Sequence, residues 1–299
     1  MIMLRIIADS TCDISKEDAR KMGIQIVPIS VRFGDEEFLD GVEITHEEFY
    51  TRLAECDELP KTSQPSPDTF MKVFNEAVAA GDDVLGIFIS SDLSGTYQSA
   101  CLAALDVEEE TRKKLYMVDS RSASIGTALL IREAVKLRDA GVNVSDIAAA
   151  CTEMSKYIKL TAVVGSLKYL KMGGRLSGAA AFAGTMLHIT PVVSIEDGKV
   201  VVIGKTRGKK AAEKLMHDKL IKDGLSLTRD FMFGHINCSE SLETFINKSL
   251  TYISDVNGNV GVSSIGCSVG THVGPGTYGI AYVEAAESGM NRESIVKTA

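Results

Sequence analysis

The sequence predicts an α/β protein of two domains, and three observations lead to this fold class. Its 299 residues are enough for about two domains of ordinary size. The first half alternates strand-like and helix-like segments, which is the pattern of a Rossmann-like parallel sheet with flanking helices. In the second half, Asp197 and Gly198 separate two apolar runs, which is typical of a β-hairpin. We therefore predict an N-terminal α/β domain over residues 1–156 and a C-terminal α/β domain with mostly antiparallel sheet over residues 157–299.

Helix caps define the first predicted elements. An apolar strand over residues 2–8 precedes Ser15, a suitable N-cap, and Gly23 ends the short helix that follows. Residues 24–33 are typical of one strand, in which Pro28 indicates an edge or a bulge.

Further caps place the next helices. Thr45 and Glu48 have the spacing of a capping box. Ser66 and Pro67 supply an N-cap and a proline at the first helical position, and Gly81 ends that helix. The rest of the first half is predicted as strands at 84–89 and 115–118 and helices at 97–105, 122–140 and 145–157. The second half is predicted as a hairpin of strands 190–195 and 199–203, helices at 208–222 and 242–253, and strands at 231–235, 260–267 and 280–283.

Composition and charge argue against several classes of protein. Apolar residues make up 45% and charged residues 24% of the chain, as in ordinary globular proteins. The net charge of −8 disfavours a nucleic-acid partner. The six cysteines are far apart and no CxxC or HExxH motif occurs, so we expect neither disulfides nor a metal site. With no signal-peptide pattern and no apolar segment of membrane-spanning length, a cytoplasmic protein without stable membrane insertion is expected.

Hydroxyl-rich turns follow three of the predicted strands, at residues 8–11, 90–96 and 118–122. A fourth hydroxyl-rich loop covers residues 61–67. Ligands of open α/β sheets bind beyond the carboxyl ends of the strands, where helix N-termini attract anionic groups. Each turn alone is better explained as a helix cap. Three turns on one rim favour a ligand site.

Two glycine motifs in the second half are better explained as a loop. Residues 266–270 match the nucleophile elbow G-x-S-x-G, which would pair Ser268, or Ser94 of the second turn, with His272 in a serine hydrolase. The elbow requires a following helix, and residues 271–276 are not expected to start one. Residues 274–279 match G-x-G-x-x-G, but too little chain follows for a dinucleotide-binding unit. We interpret both as a glycine-rich loop that lets backbone approach a neighbour closely.

The arginines and the absence of nucleotide-binding motifs limit which chemical groups the ligand can carry. Gly173 and Gly174 could end a helix, with Arg175 as a surface cation, or Arg175 and Arg207 could hold a phosphate. Spacing does not choose between these. No P-loop or carboxylate cluster for magnesium occurs, and neutral hydroxyl donors suit a single carboxylate better than a polyphosphate.

Taken together, these segments resemble the DegV family of bacterial lipid-binding proteins. The matching segments span nearly the whole chain and occur in order: residues 8–10 (ADS), 62–66 (TSQPS), 90–100 (SSDLSGTYQSA), 118–120 (VDS), 170–175 (LKMGGR) and 272–277 (HVGPGT). The resemblance implies a two-domain protein that binds a long-chain fatty acid, such as palmitate, in a cleft between the domains, with no cofactor.

Site residues and a partner follow from the same resemblance. It implies that the carboxylate is held by Thr62, Ser94, the backbone at Gly95 and His272. Members resemble the acyl-carrier subunit of fatty acid kinase, a role in fatty acid metabolism and phospholipid synthesis. This chain would then present its acid to a separate kinase subunit, hold no catalytic centre of its own, and turn Arg175 and Arg207 toward the kinase or its phosphate. Candidates to line the tunnel, or simply to form a buried helix, are Ala179, Ala180, Ala181, Phe182, Ala183, Met186 and Leu187.

Overall fold

The computed structural model describes residues 3–56, 58–178, 189–226, 228–253 and 258–285. The candidate tunnel residues Ala179, Ala180, Ala181, Phe182, Ala183, Met186 and Leu187 lie outside these ranges. The elements before the predicted domain boundary are β1 (Leu4–Asp9), α1 (Lys16–Met22), β2 (Ile24–Val27), β3 (Ser30–Phe33), β4 (Glu36–Leu39), α2 (His46–Glu55), β5 (Lys61–Ser63), α3 (Pro67–Ala79), β6 (Asp83–Phe88), α4 (Thr96–Thr111), β7 (Tyr116–Asp119), α5 (Ile125–Asp139) and α6 (Val144–Met154). Those after it are β8 (Ile158–Val163), α7 (Lys168–Met172), β9 (Thr190–Glu196), β10 (Lys199–Thr206), α8 (Lys209–Asp223), β11 (Phe231–His235), α9 (Ser239–Tyr252), β12 (Val260–Ser264), α10 (Cys267–Val273) and β13 (Tyr278–Val283).

The first sheet is parallel and covered on both faces, as the alternating sequence predicts. Its strand order is β2-β1-β6-β7, and all three pairings are parallel. Successive residues of β1 face opposite layers: Ile6 packs with Leu130 of α5, and Ile7 packs with Phe70 and Phe74 of α3. All five side chains are fully buried.

The second sheet is mostly antiparallel, with the order β10-β9-β8-β13-β11-β12. Only the β11–β12 pairing among its described strands is parallel. Asp197 and Gly198 form the hairpin turn between β9 and β10 with φ of +48° and +81°, as the Asp-Gly signal predicts. The two-domain α/β fold class is thus confirmed, while the boundary at residue 156, which falls between α6 and β8, stays a prediction.

Local capping confirms the predicted helix starts. Ser15 and Ser66 accept hydrogen bonds from the backbone N–H groups of Asp18 and Thr69, and Thr45 forms both bonds of a capping box with Glu48. No helix within the described ranges is long and apolar enough to cross a membrane.

Three sequence predictions were wrong. Residues 24–33 form two strands in different sheets, because Pro28 interrupts the run and β3 pairs instead with β4 and β5 in a small antiparallel sheet. Strand β8 was missed. The glycine-rich segment after residue 266 was interpreted as a loop but contains helix α10.

Candidate functional site

A cavity of about 420 Å³ lies between the two large sheets. One side is formed by the turns that follow strands of the parallel sheet, which contribute Thr11, Ser94 and Ser124. The first two hydroxyl-rich turns therefore reach the cavity beyond the carboxyl ends of their strands, as expected for an open α/β sheet, whereas residues 118–122 do not line it and only the residues just after them do. Strands β8, β9, β10 and β13 and helix α10 form the other side.

Most of the cavity wall is aliphatic. Alternate residues of β8 and β9 point into the cavity because side chains of a strand alternate between its faces. The apolar lining comprises Ile29, Ile89, Leu93, Ala123, Ile125, Leu160, Ala162, Val164, Leu170, Val193, Ile195, Val200, Ile265, Val269 and Val273. Such a wall suits an extended apolar ligand.

Polar groups gather where strand β5 meets helix α10. The hydroxyl of Thr62 lies 2.9 Å from Nε2 of His272, although 210 residues separate them in the sequence. Ser94 also lines the cavity, and its Oγ lies 2.9 Å from the hydroxyl of Thr96. The structure therefore places Thr62, Ser94 and His272 around one cavity.

Gly95 takes part through close packing and does not line the cavity itself. A Cβ on Gly95 would lie 2.3 Å from the side-chain oxygen of Gln64, so a larger residue would force that amide to move. Gln64 lines the cavity and was missed by sequence reasoning. Ser99 of α4 ties the two segments together by donating a 2.6 Å hydrogen bond to the carbonyl of Pro65.

The His272 imidazole is neutral at physiological pH. Burial, reinforced by the cation of Arg175, lowers the pKa of His272 to about 4. Its Nδ1 is buried and has no hydrogen-bond partner among the described residues. A neutral ring with one nitrogen at Thr62 can accept or donate a hydrogen bond according to its tautomer.

The glycine pair before Arg175 makes room for this imidazole. A Cβ on Gly173 would lie 2.2 Å from Nδ1 of His272, while Gly174 adopts φ +71° with nothing within 4 Å of its Cβ position. One of the two sequence interpretations, that the pair ends a helix, is confirmed, because Gly173 is the C-cap of α7. The packing function of Gly173 depends on a residue about 100 positions away, so spacing could not reveal it.

The two arginines have different places. Arg175 lines the cavity, and its guanidinium donates hydrogen bonds to the carbonyls of Leu93 (3.0 Å) and Gly173 (2.6 Å). Burial lowers its pKa, but an arginine remains charged. Arg207 is exposed after β10 and does not line the cavity.

Helix α10 also brings Ser268 to the cavity, four residues before His272. The expectation that no helix follows the G-x-S-x-G match was wrong, so the segment does have a strand, a turn and a helix. However, Ser268 does not have the positive φ of a strained nucleophile turn. No carboxylate of the described ranges hydrogen-bonds to His272, whose ring meets Thr62 instead.

One group of potential metal ligands was not foreseen. Single ligand atoms of Asp40, His46 and Cys267 lie within 4.8 Å of one another. Both carboxylate oxygens of Asp40 already accept backbone hydrogen bonds, and burial raises the pKa of the Cys267 thiol, which favours its protonated form. The absence of a metal site stays a prediction.

Comparisons with known proteins agree with this architecture. A model of the DegV family, described as an uncharacterised protein family, matches residues 3–285. A DegV domain-containing protein of Clostridium perfringens is 35% identical over 293 residues, covering 95% of this chain and 99% of its own length.

Two solved structures extend the similarity to the fold. One is a DegV family protein from Thermus thermophilus, which is described as binding fatty acid. It is 31% identical, has a TM-score of 0.85, and the match covers 94% of this chain and 100% of that protein. The other is a stearic acid-binding protein from Eubacterium ventriosum. It is 30% identical, has a TM-score of 0.84, and the match covers 96% of this chain and 100% of that protein. Because the family match, the sequence identity and the fold agree over nearly the whole length, this chain belongs to the DegV family.

Proposed function

We propose that this chain binds a long-chain fatty acid, such as palmitate, in the cavity between its two sheets. The observation that carries the proposal is the pairing of a long aliphatic wall with a cluster of neutral hydroxyl and imidazole groups. The relatives from Thermus thermophilus and Eubacterium ventriosum, which are described as binding fatty acid and stearic acid, support it. The ligand is then a cargo and no other cofactor is required.

Burial of the acyl chain supplies most of the affinity. A saturated acid of about sixteen carbons has about fifteen methylene or methyl groups, each worth roughly 0.8 kcal/mol when buried, before ordering costs are subtracted. The polar groups then fix the position of the carboxylate and discriminate against ligands that lack one.

Thr62, Ser94 and His272 are proposed to hold the carboxylate, with the backbone at Gly95 beside it. Both hydroxyls can donate to a carboxylate oxygen; for Thr62 this requires the Nε2–H tautomer of His272, which donates to the Thr62 oxygen and leaves its single hydroxyl proton for the ligand. Helix α4 starts at Thr96, and its N-cap Gly95 has no side chain to occupy the first-turn N–H groups. The positive end of that helix favours an anionic head group.

A further part of the proposal is presentation of the bound acid to a separate kinase subunit. In this scheme the chain has no catalytic centre of its own and serves fatty acid metabolism and phospholipid synthesis in the cytoplasm. Arg175 beside the carboxylate and the exposed Arg207 would face the kinase or the transferred phosphate, as the family resemblance implies. The ligand would lie between domains 1–156 and 157–299.

Native mass spectrometry of the purified protein tests the binding proposal. We expect an adduct with the mass of a long-chain fatty acid, and Thr62→Ala with Ser94→Ala should retain much less of it. Each lost hydrogen bond to the charged group costs about 1.5–3 kcal/mol. The matched control is Thr51→Ala with Thr244→Ala, whose hydroxyls bond to carbonyls of their own helices outside the cavity. Equal retention by both double variants would place the carboxylate elsewhere.

A serine hydrolase is the second candidate, because Ser268 and His272 line the same cavity one helical turn apart. It predicts turnover of a long-chain ester. Ser268→Ala should abolish this turnover if Ser268 is the nucleophile, and Ser94→Ala should abolish it if Ser94 is. Binding of fatty acid without ester turnover would exclude it.

A further inference from the structure

We propose that Asp13 and Asp40 are positioning residues for the head-group site, because they cap helix α10 from the other half of the chain and so set where it presents His272. The inference rests on the proposed function for the role of His272. It concerns two residues that the cavity lining does not include and that sequence motifs assign to no ligand.

The cap is formed by three consecutive backbone N–H groups and two carboxylates. The N–H of Gly266 donates to Oδ1 of Asp13 at 2.8 Å. The N–H groups of Cys267 and Ser268 donate to the two oxygens of Asp40, each at 3.1 Å. The first turn of a helix always leaves such groups unsatisfied, and the N-cap Gly266 has no side chain with which to satisfy them. Helix α10 therefore depends on distant carboxylates for its start.

Both aspartates are themselves held firmly. Asp40 is 4% exposed and also accepts a hydrogen bond from the hydroxyl of Ser10 at 3.1 Å. That hydroxyl in turn accepts the N–H of Ile29, a residue of the cavity wall. Asp13 is 6% exposed and accepts a hydrogen bond from Ser124, which also lines the cavity. The cap thus joins α10 to the rim of the parallel sheet.

Displacement of the start of α10 would move the side chain of His272. Helix α10 has only seven residues, and His272 lies four residues after Ser268, which is about 6 Å along the axis. The ring has little freedom at its other side, because Gly173 is in close contact and Thr62 is at 2.9 Å. A small rotation of so short a helix therefore changes the Thr62–His272 contact.

If Asp13 and Asp40 only stabilised the fold, their substitution would weaken the binding of every ligand equally. If they position His272, substitution should weaken the binding of ligands with a carboxylate selectively. The probes are palmitate and 1-hexadecanol, which share the chain and differ in the carboxylate. We expect Asp40→Asn to weaken palmitate binding about tenfold or more, while 1-hexadecanol binding changes little. The matched control is Asp82→Asn, since Asp82 is also buried but bonds to Arg5 and the Met3 N–H away from α10.

An NMR titration of the His272 ring gives a readout that needs no ligand. We expect the pKa of His272 to rise from about 4 toward its ordinary value in Asp40→Asn and to stay unchanged in Asp82→Asn. If Asp40→Asn does not fold, Ser10→Ala, which removes a hydrogen bond that orients Asp40, carries the same test. Unchanged selectivity together with an unchanged His272 titration would overturn the proposal. Failure of the wild type to bind palmitate would instead overturn the proposed function, because the titration still reports on the cap.

Discussion

Substitution of Gly173 by alanine should displace the His272 imidazole and leave the fold almost intact. The new Cβ would lie 2.2 Å from Nδ1, whereas relaxed contacts between such atoms are about 3.5 Å, so the ring must move by about 1.3 Å. Gly173 has a φ of −74°, which alanine adopts freely, so the backbone adds no strain. A shift of this size exceeds the range of about 2.7–3.2 Å over which such hydrogen bonds hold, so the 2.9 Å contact between Nε2 and Thr62 should be lost.

The expected consequence is a selective loss of affinity. When His272 no longer orients Thr62, the proposed hydrogen bond from Thr62 to the carboxylate should be lost. This costs about 1.5–3 kcal/mol, which is about a 10- to 100-fold weaker Kd for palmitate. The Tm should fall by only a few degrees, because the colliding atom belongs to a side chain that can rotate.

The matched control is the neighbouring Gly174→Ala. Its φ of +71° makes alanine cost about 1–2 kcal/mol of backbone strain, but nothing lies within 4 Å of the new Cβ. Gly174→Ala should therefore lose stability and keep its affinity, the reverse of Gly173→Ala. The two variants are compared by calorimetric titration with palmitate and by thermal unfolding. If Gly173→Ala bound palmitate as tightly as the wild type, the head-group role of His272 would be refuted.

Two further predictions concern stability. Because the folded pKa of His272 is about 4 and its ordinary value is 6.5, only the unfolded chain binds a proton there as the pH falls through this window. The wild type should therefore lose about 2.5 kcal/mol relative to His272→Gln between pH 7.5 and 4.5 in urea unfolding, and parallel pH profiles would contradict this. Thr45→Ala should cost about 1 kcal/mol by removing the capping box with Glu48, with palmitate affinity unchanged; a change in affinity would contradict the local nature of the cap.

Local signals made much of the fold predictable. The starts of α1, α2 and α3 depend on Ser15, Thr45 and Ser66, each of which bonds to a residue three positions ahead. The β9–β10 hairpin likewise depends on two adjacent residues that tolerate positive φ. In these cases the interaction that decides the structure lies inside a window that a sequence pattern can cover.

Long-range pairing made other elements unpredictable. The chain leaves the parallel sheet after Pro28. Strand β3 pairs instead with β4 and with β5, which lies some thirty residues later. The same pairing places Thr62 opposite Val31 and so delivers the hydroxyl to the cavity. Thr62 and His272 could be named from the family resemblance, but their contact across 210 residues could not be derived from spacing.

Helix α10 lines the cavity and is also held by contacts between the two halves of the chain. Gly270 inside the helix disfavours it on intrinsic propensity, while Gly266 and Gly274 stand at its two caps. The helix forms because Asp13 and Asp40 satisfy its first N–H groups and the hydroxyl of Tyr50 reaches the carbonyls of Ile265 and Gly266. These three residues all precede position 156, whereas His272 follows it. The His272 imidazole is therefore placed by contacts from the other half of the chain, and the second half alone does not contain the information that orients it.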